Sequence, residues 1–521
     1  MLLLFRRPIF SFLLSFFFMA CSPKLEIKND LPEEAFVCME RYSHKTDPVN
    51  PFVRKNGERS PTSSFYPLNI GKSAYEWRLG LLSSAKESLV IQALLWNADE
   101  TGILLVLKTL EAADRGVYVR IMLDDFFSTG WDKYAAVLTT HPNIDIKLFN
   151  PFKKLRGSWA GRGFELVGDL DRLNHRLHNK LILADNKVAI VGGRNIGNEY
   201  FGTGKKLDYR DYDLVATGPV VEELTESFEY FWDSLWAYHI SDLHKGKGDP
   251  IEKLRLELRR KIEDAHYLKN DYETDALALA YKMAQDQDQA TTATARVVFD
   301  CPPPETDQFP VQTVMTLDKV ASQSQDEILM ISPYFVPLEG FHKRLKATVD
   351  RGVRVVLLTN SLAAADHTVA FSGYKKHRVK LLKNGVIIHE LKPDGRMWQD
   401  HKLPSSNAKH IALHAKVFVF DHKYVYVGSL NLDPRAVHWN TELGLLIDNP
   451  QLAEMIYRDF GVDLKPENSW RVEWRSTSEE STQKRLVWVA GAEETTKEPS
   501  KGFLQKFNLW FFSLFPIDEQ L

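Results

Sequence analysis

RLHNKLILAD (residues 176–185) and ALHAKVFVFD (residues 412–421) each carry His-x-Lys, four residues and then Asp, 236 positions apart. The match runs on without gaps, HNKLILADNKVAIVGGRNIG over HAKVFVFDHKYVYVGSLNLD. His178, Lys180, Asp185, Lys187, Val191, Gly192 and Asn195 fall on His414, Lys416, Asp421, Lys423, Val427, Gly428 and Asn431, and Leu177 falls on Leu413. One such triplet is a common accident. Two in register are an internal repeat of long period.

The flanks repeat in outline. SAYEWRLGLLSSAKE precedes SLVIQALLW, and GILLVLKTLEAADRG leads into VYVRIMLDD. In the second half VQTVMTLDKVASQSQ precedes EILMISPYFVP, and GFHKRLKATVDRG leads into VRVVLLTNS. Short β-branched runs alternating with amphipathic helices predict an α/β fold. It is expected as two pseudo-twofold-related α/β/α sandwich halves with mixed, largely parallel sheets and the active site at their interface. Two of the helices end in Arg-Gly, which suits a left-handed C-cap. The halves are placed at 60–240 and 296–465. A charged helical connector (241–295) lies between them, its charges read as a solvated face, and an extension (466–521) follows.

Length and composition fit this plan. The 521 residues are 44% hydrophobic and 26% charged, and 66 Lys and Arg against 69 Asp and Glu give a net charge of −3. A nucleic-acid binder would more often be strongly basic, so no nucleic acid is expected as partner. At the N-terminus, Arg6 and Arg7 precede an apolar run (9–20) and then Cys21. The run is too short to cross a bilayer, which takes ~20 residues. With its basic start it reads as an export signal over 1–20. Cys21 as first mature residue resembles a lipoprotein box, although Phe18 stands where such boxes usually have Leu; a plain signal peptide and an uncleaved anchor are the alternatives. All three keep the chain beside a membrane, and the lipoprotein reading puts it in a bacterial envelope, facing the periplasm. Cys38 and Cys301 then remain and can pair in an oxidising compartment. Two thiols are too few for a thiolate metal cluster, and neither a metal nor a cofactor is expected.

On a strand, side chains alternate faces, so His178 and Lys180 point together, as do His414 and Lys416. Asp185 and Asp421, seven positions beyond each His, are expected on the opposite face, supporting the motif without touching substrate. Gly192-Gly193 and Gly428-Ser429 would let backbone approach a ligand, with Asn195 and Asn431 just beyond. If the halves meet about a twofold axis, two imidazoles, two ammoniums and two carboxamides share one pocket. That set suits a phosphoryl group passing through a pentacoordinate state. One neutral His attacks phosphorus and the other, protonated, serves the leaving alkoxide. Lys180, Lys416, Asn195 and Asn431 would bind the nonbridging oxygens. Each His needs an orienting carboxylate; Asp211 and Glu442 are assigned, with Asp213 as fallback for Asp211. His175 is placed at the entrance, and His367 and His401 are read as ordinary. Near the end Phe503, Phe507, Trp510, Phe511 and Leu514 form a helical stripe beside Lys501 and Lys506. Such a stripe packs in a core or enters a headgroup layer.

The paired HxKxxxxD pattern resembles the phospholipase D superfamily. SPYFVP, TNSLAAAD, GSLNLDPRAVHWNTELG and a terminal FPIDEQL are similar to bacterial cardiolipin synthases of the C type, from about Ser60 to the end. The resemblance implies phospholipase D-like halves and phosphatidyl transfer through a phosphohistidine. Phosphatidylglycerol or phosphatidylethanolamine would be the donor and phosphatidylglycerol the acceptor, with His178 as nucleophile and His414 as acid. Phospholipids and a membrane surface are the implied partners. Hydrolysis by water, action on nucleic acid and a non-catalytic membrane-anchored relative stand as alternatives.

Overall fold

The computed structural model describes Cys38, Phe52 and residues 61–126, 131–152, 159–243, 250–302, 312–476 and 483–513. The expected signal, Cys21, Leu514 and the terminal FPIDEQL lie outside them. The first half contributes β1 (Thr62–Leu68), β2 (Ser88–Ala93), β3 (Tyr118–Asp124), β4 (Ile144–Phe149), β5 (Arg176–Leu177), β6 (Leu181–Ala184), β7 (Val188–Gly192), β8 (Asp208–Arg210), β9 (Asp213–Thr217) and β10 (Ala237–His239). The second contributes β11 (Thr291–Phe299), β12 (Glu327–Ile331), β13 (Arg354–Asn360), β14 (Ile387–Leu391), β15 (Ile411–Leu413), β16 (Val417–Phe420), β17 (Tyr424–Gly428), β18 (Asn440–Thr441), β19 (Leu443–Asp448), β20 (Ser469–Ser476), β21 (Lys484–Ala490) and β22 (Glu493–Thr495).

β1 and β11 pair antiparallel and join the halves. From that pair outward, β9, β7, β6, β2, β3 and β4 follow on one side. On the other, β19, β17, β16, β12, β13 and β14 follow in the same order. A twofold relation requires an antiparallel pair at its axis, and β1–β11 supplies it. The mixed α/β class expected from the sequence is the one adopted. Parallel pairing is confined to β2-β3-β4 and β12-β13-β14 within this sheet. Helical crossovers such as Glu100–Asp114 and Glu339–Asp350 connect these strands, as parallel neighbours require. Both helices run into Arg-Gly, with Gly116 at φ 96° and Gly352 at φ 92°, the left-handed cap expected.

One apolar cluster includes Leu177, Val191 and Leu214 from the first half and Leu413, Val427 and Leu445 from the second. The halves therefore share a core. A Cys38–Cys301 disulfide, with Cα atoms 6.1 Å apart, lies in it. Between the halves, helices Ile251–Asp264 and Ala276–Gln287 bury Leu254, Leu258, Leu279 and Met283 with Trp77 and Leu81 of helix Gly71–Ser84. β11 begins at Thr291, inside the stretch expected to be helical, because TTATARVVF is β-branched and alternates in its first residues.

Candidate active site

Each repeated motif opens by crossing to the other half. β5 pairs with β18 in parallel, Arg176 opposite Asn440, and β15 pairs with β8, Ala412 opposite Tyr209. The exchange continues where the strands end: the His178 amide donates to Thr441 O at 3.2 Å and the His414 amide to Arg210 O at 2.8 Å. Three residues later the chain has rejoined its own half, with Leu181 opposite Gln92 and Val417 opposite Ile331. The change of partner corrects the sequence expectation that His and Lys sit within a strand. They occupy the link between two short strands, where the backbone turns from one half to the other.

The residue following β18 is Glu442, and the one following β8 is Asp211. Each carboxylate therefore meets the histidine of the opposite half. His178 Nδ1 lies 2.8 and 3.0 Å from the two Glu442 oxygens, and His414 Nδ1 lies 2.6 Å from Asp211 Oδ2. Both histidines are 6% exposed. With Nδ1 held, Nε2 is the nitrogen left for chemistry. Asp213, the fallback, instead pairs with Arg78 at 2.9 Å and Arg194 at 3.1 Å inside the first half.

The lysines fold back on the motifs. Lys180 Nζ donates to His178 O at 2.6 Å, and Lys416 Nζ donates to His414 O and lies 3.1 Å from His414 Nδ1. Burial pulls the Lys180 ammonium down to about 7 and the Lys416 ammonium to about 8. Burial, then the charges of Lys180 and Lys416, lowers His178 well below its usual value; burial and Lys416 bring His414 to about 4. The field of each lysine reaches both halves: Lys180 feels Lys416 and Asp211 as well as Glu442. The two motifs therefore form one electrostatic unit.

The two carboxylates differ. Burial would raise Asp211, but His414, Lys416 and Arg194 more than offset it and hold the carboxyl well below its ordinary range. Burial pushes Glu442 well up, and Asp300 and Asp433 nearby reinforce that against Lys180. The neighbours of each follow the same division. A Cβ on Gly193 would run into the Asp211 carboxylate, whereas at the equivalent position Ser429 donates its hydroxyl to Glu442 Oε2. These small residues make room for an orienting carboxylate and, at Gly192, for the backbone of β9. This packing is a role that the sequence expectation had not given them.

Asn195 and Asn431 are buried, each with Oδ1 lacking a partner among the described residues. Asn195 Nδ2 donates to the Tyr200 hydroxyl at 3.0 Å. A half-turn of either amide exchanges oxygen for NH2. Asp185 and Asp421 stand at the far turn of the β6–β7 and β16–β17 hairpins, with φ values of 54° and 51°. Asp185 accepts from the amides of Lys86, Glu87 and Ser88 at 2.7–3.1 Å, and Asp421 from those of Gln325, Asp326 and Glu327 at 2.8–3.1 Å. They tie the hairpin to the start of the neighbouring strand and stay out of the pocket.

Several residues around the pocket had no signal in the repeat. Tyr200 and Tyr209 place their rings 5.2 and 5.0 Å from the His414 ring. Tyr209 and Tyr334 both donate to Asp366 Oδ2, at 3.0 and 2.7 Å. On the His178 side, Asp124 accepts from the Leu177 amide at 2.9 Å and lies 3.9 Å from Arg176. His175 is half-buried between Trp236 and Trp439, ring centroids 5.5 and 5.2 Å away. His367 is exposed and 3.7 Å from Asp366. His401 ends the short helix Trp398–His401, and burial holds its pKa well below the usual value. Among the described residues no cluster of His, Cys, Asp and Glu has the makings of a metal site.

The sequence matches the family described as "Cardiolipin synthase, PLD-like domain" over residues 79–232 and 317–464. It is 31% identical over 476 residues to cardiolipin synthase C of Escherichia coli (strain K12), covering 87% of this chain and 95% of that one. It is 29% identical to an uncharacterized protein of Helicobacter pylori (strain J99 / ATCC 700824), covering 84% and 88%. The crystal structure of phosphatidylserine synthase from Haemophilus influenzae Rd KW20 superposes with a TM-score of 0.56 at 14% identity, covering 88% of this chain and 95% of that one. That likeness concerns the fold. The two family segments each contain one histidine motif with its lysine, and the chain belongs to the cardiolipin synthase branch of the phospholipase D-like proteins.

Proposed function

We propose that this chain is a phosphatidyltransferase that makes cardiolipin from two phospholipids through a phosphohistidine, with phosphatidylglycerol as acceptor and phosphatidylglycerol or phosphatidylethanolamine as donor. The observation carrying this reading is the reciprocal pairing of His178 with Glu442 and of His414 with Asp211, beside two buried lysines. His178, neutral and with Nδ1 turned to Glu442, offers the Nε2 lone pair to phosphorus. The bond from phosphorus to the headgroup oxygen breaks as His414 gives that oxygen its proton. The ionised Asp211 favours the imidazolium form of His414, which fits His414 to the acid role and His178 to the nucleophile's. Lys180, Lys416, Asn195 and Asn431 bind the nonbridging oxygens as charge develops. An acceptor hydroxyl then gives its proton to His414 and attacks phosphorus. The P–N bond breaks, His178 is restored and cardiolipin leaves with glycerol or ethanolamine as the co-product of the first step.

The site is placed on the periplasmic side, the chain held there by a lipid on Cys21. The Cys38–Cys301 bridge supports an oxidising compartment. Among the described residues no helix is long and apolar enough to cross a membrane.

The test incubates detergent-solubilised full-length protein with phosphatidylglycerol, alone and with phosphatidylethanolamine, and analyses lipids and intact protein by mass spectrometry. Wild type should yield cardiolipin. His178→Ala and His414→Ala should each lose at least ~10⁴-fold of that rate, and only His414→Ala should accumulate a phosphatidyl adduct. Free phosphatidic acid without cardiolipin would overturn the transfer reading, and an adduct on His178→Ala would reverse the assigned roles.

A further inference from the structure

Helix Phe503–Ser513 is amphipathic in an unusual sense: its large aromatics face out. Phe503, Phe507 and Trp510 are 80%, 46% and 56% exposed, while Leu509 is 3% exposed and packs in the cluster containing Leu362, Phe371 and Tyr374. Spacings of four and three place the three aromatics on one face. Their rings follow one another at centroid separations of 6.5 and 5.8 Å. The core-packing explanation of the stripe therefore does not hold for these three rings; the residue of this helix that packs in the core is Leu509, outside the stripe. Lys501 and Lys506 are the charged residues between positions 499 and 515, with no acid among them.

The helix is fastened next to the catalytic pocket by two polar contacts. Gln505 Nε2 donates to Leu362 O, in the segment that continues to Asp366. Lys501 Nζ lies 2.8 Å from His410 Nε2, immediately before the strand Ile411–Leu413 that delivers His414. Asp366 in turn holds Tyr209, whose ring lies against His414. The aromatic face is thus bound to the two segments that border the second histidine.

We propose that Phe503, Phe507 and Trp510 form a membrane-docking face that enters the headgroup layer of an anionic bilayer and sets the catalytic pocket against the lipid surface. The choice of a bilayer as occupant rests on the phospholipid reading above. Three rings and two flanking cations match an interfacial helix, in which aromatics lodge at the acyl boundary and lysines meet anionic headgroups. Three side chains are too small a patch for a stable protein interface, which buries about 1,200 Å² or more in total.

The test places an environment-sensitive fluorophore on a cysteine in the full-length protein, at Phe507→Cys. The control is Leu277→Cys, which replaces an 80% exposed residue on the connector helix Ala276–Gln287. Signal from the protein lacking either substitution is subtracted. With phosphatidylglycerol vesicles, the label at 507 should shift to the blue and lose at least about half its emission to brominated acyl chains, and the label at 277 should do neither. A 507 label as wet as the 277 label in the presence of vesicles overturns the proposal. So does shielding at 507 that needs no vesicles and grows with protein concentration, the mark of a second copy. In parallel, Phe503→Ser/Phe507→Ser/Trp510→Ser should lower kcat/KM on vesicles about tenfold and leave turnover of detergent-dispersed short-chain lipid unchanged. Equal losses on both substrates overturn it. If wild type converts neither lipid, the reading of the reaction fails, while the fluorophore result still decides the docking face.

Discussion

The two halves share a backbone plan and differ in chemistry at equivalent positions. Asp124 and Asn360 close the equivalent strands β3 and β13 and both bind the backbone of the residue before a motif histidine, Leu177 at 2.9 Å and Leu413 at 2.8–2.9 Å. One is a carboxylate that burial pushes up to about 6, beside Arg176, which burial brings down to about 10; the other is a neutral amide. Where the first half carries Arg176, the second has Ala412. Where Asn440 stands against β5, Tyr209 stands against β15 and covers His414. Duplication supplies two histidine motifs, and the substitutions around them make the surroundings of His178 and His414 unequal, the basis for the separate roles proposed above.

The lysines are where the two halves remain most alike, and there the largest effects on the proposed reaction are expected after loss of a histidine. Lys180→Met and Lys416→Met should each lower kcat by about 10²–10³-fold. The ammonium of Lys180 is lost above about 7 and that of Lys416 above about 8. Wild-type kcat/KM should therefore fall as pH rises through that range. Because the unfolded chain would hold these protons up to about 10.5, the burial of both lysines costs stability at and below neutral pH and relaxes as pH rises. Lys180→Met should accordingly raise the thermal transition at pH 7 by about 2 °C or more. A lowered transition together with lost activity would mean that the lysine holds the fold together.

A smaller effect sharpens the contrast between the carboxylates. Asp211 is held ionised against His414, whereas Glu442 is held toward its neutral form. Asp211→Asn should then reduce kcat about 10²-fold or more and Glu442→Gln only about tenfold, since glutamine retains the shape and the neutral charge. Equal losses would mean that the halves are electrostatically equivalent in turnover. Least affected in activity should be Asp185→Ala and Asp421→Ala. Each removes a carboxylate from three backbone amides, so denaturant titration should show a loss of about 1–3 kcal/mol, with kcat within about twofold of wild type.

Much of the site was legible because duplication is visible in one sequence. Two copies of His-x-Lys, with Gly and Asn in register, marked His178, Lys180, His414 and Lys416 without any coordinates. Asp211 and Glu442 were found by asking what each imidazole needs, and spacing alone could not choose Asp211 over Asp213. The choice follows from the change of strand between them: Asp213 begins β9 and turns to Arg78 and Arg194, while Asp211 follows β8 at the end of the cross-half pairing. Tyr200, Tyr209, Tyr334 and Asp366 left no trace in the repeat. The Tyr209–Asp366 contact spans 157 residues, and no local pattern records such a contact.

From residue order alone followed the α/β class, the doubling and the side chains fit for phosphoryl chemistry. These depend on period and on side-chain type, which are local properties. Which half supplies the partner of which histidine was decided only in three dimensions. Arg176–Leu177 and Ile411–Leu413 leave their own sheets to pair with the opposite half, and backbone hydrogen bonds between distant strands depend on tertiary register and leave no mark in residue identity.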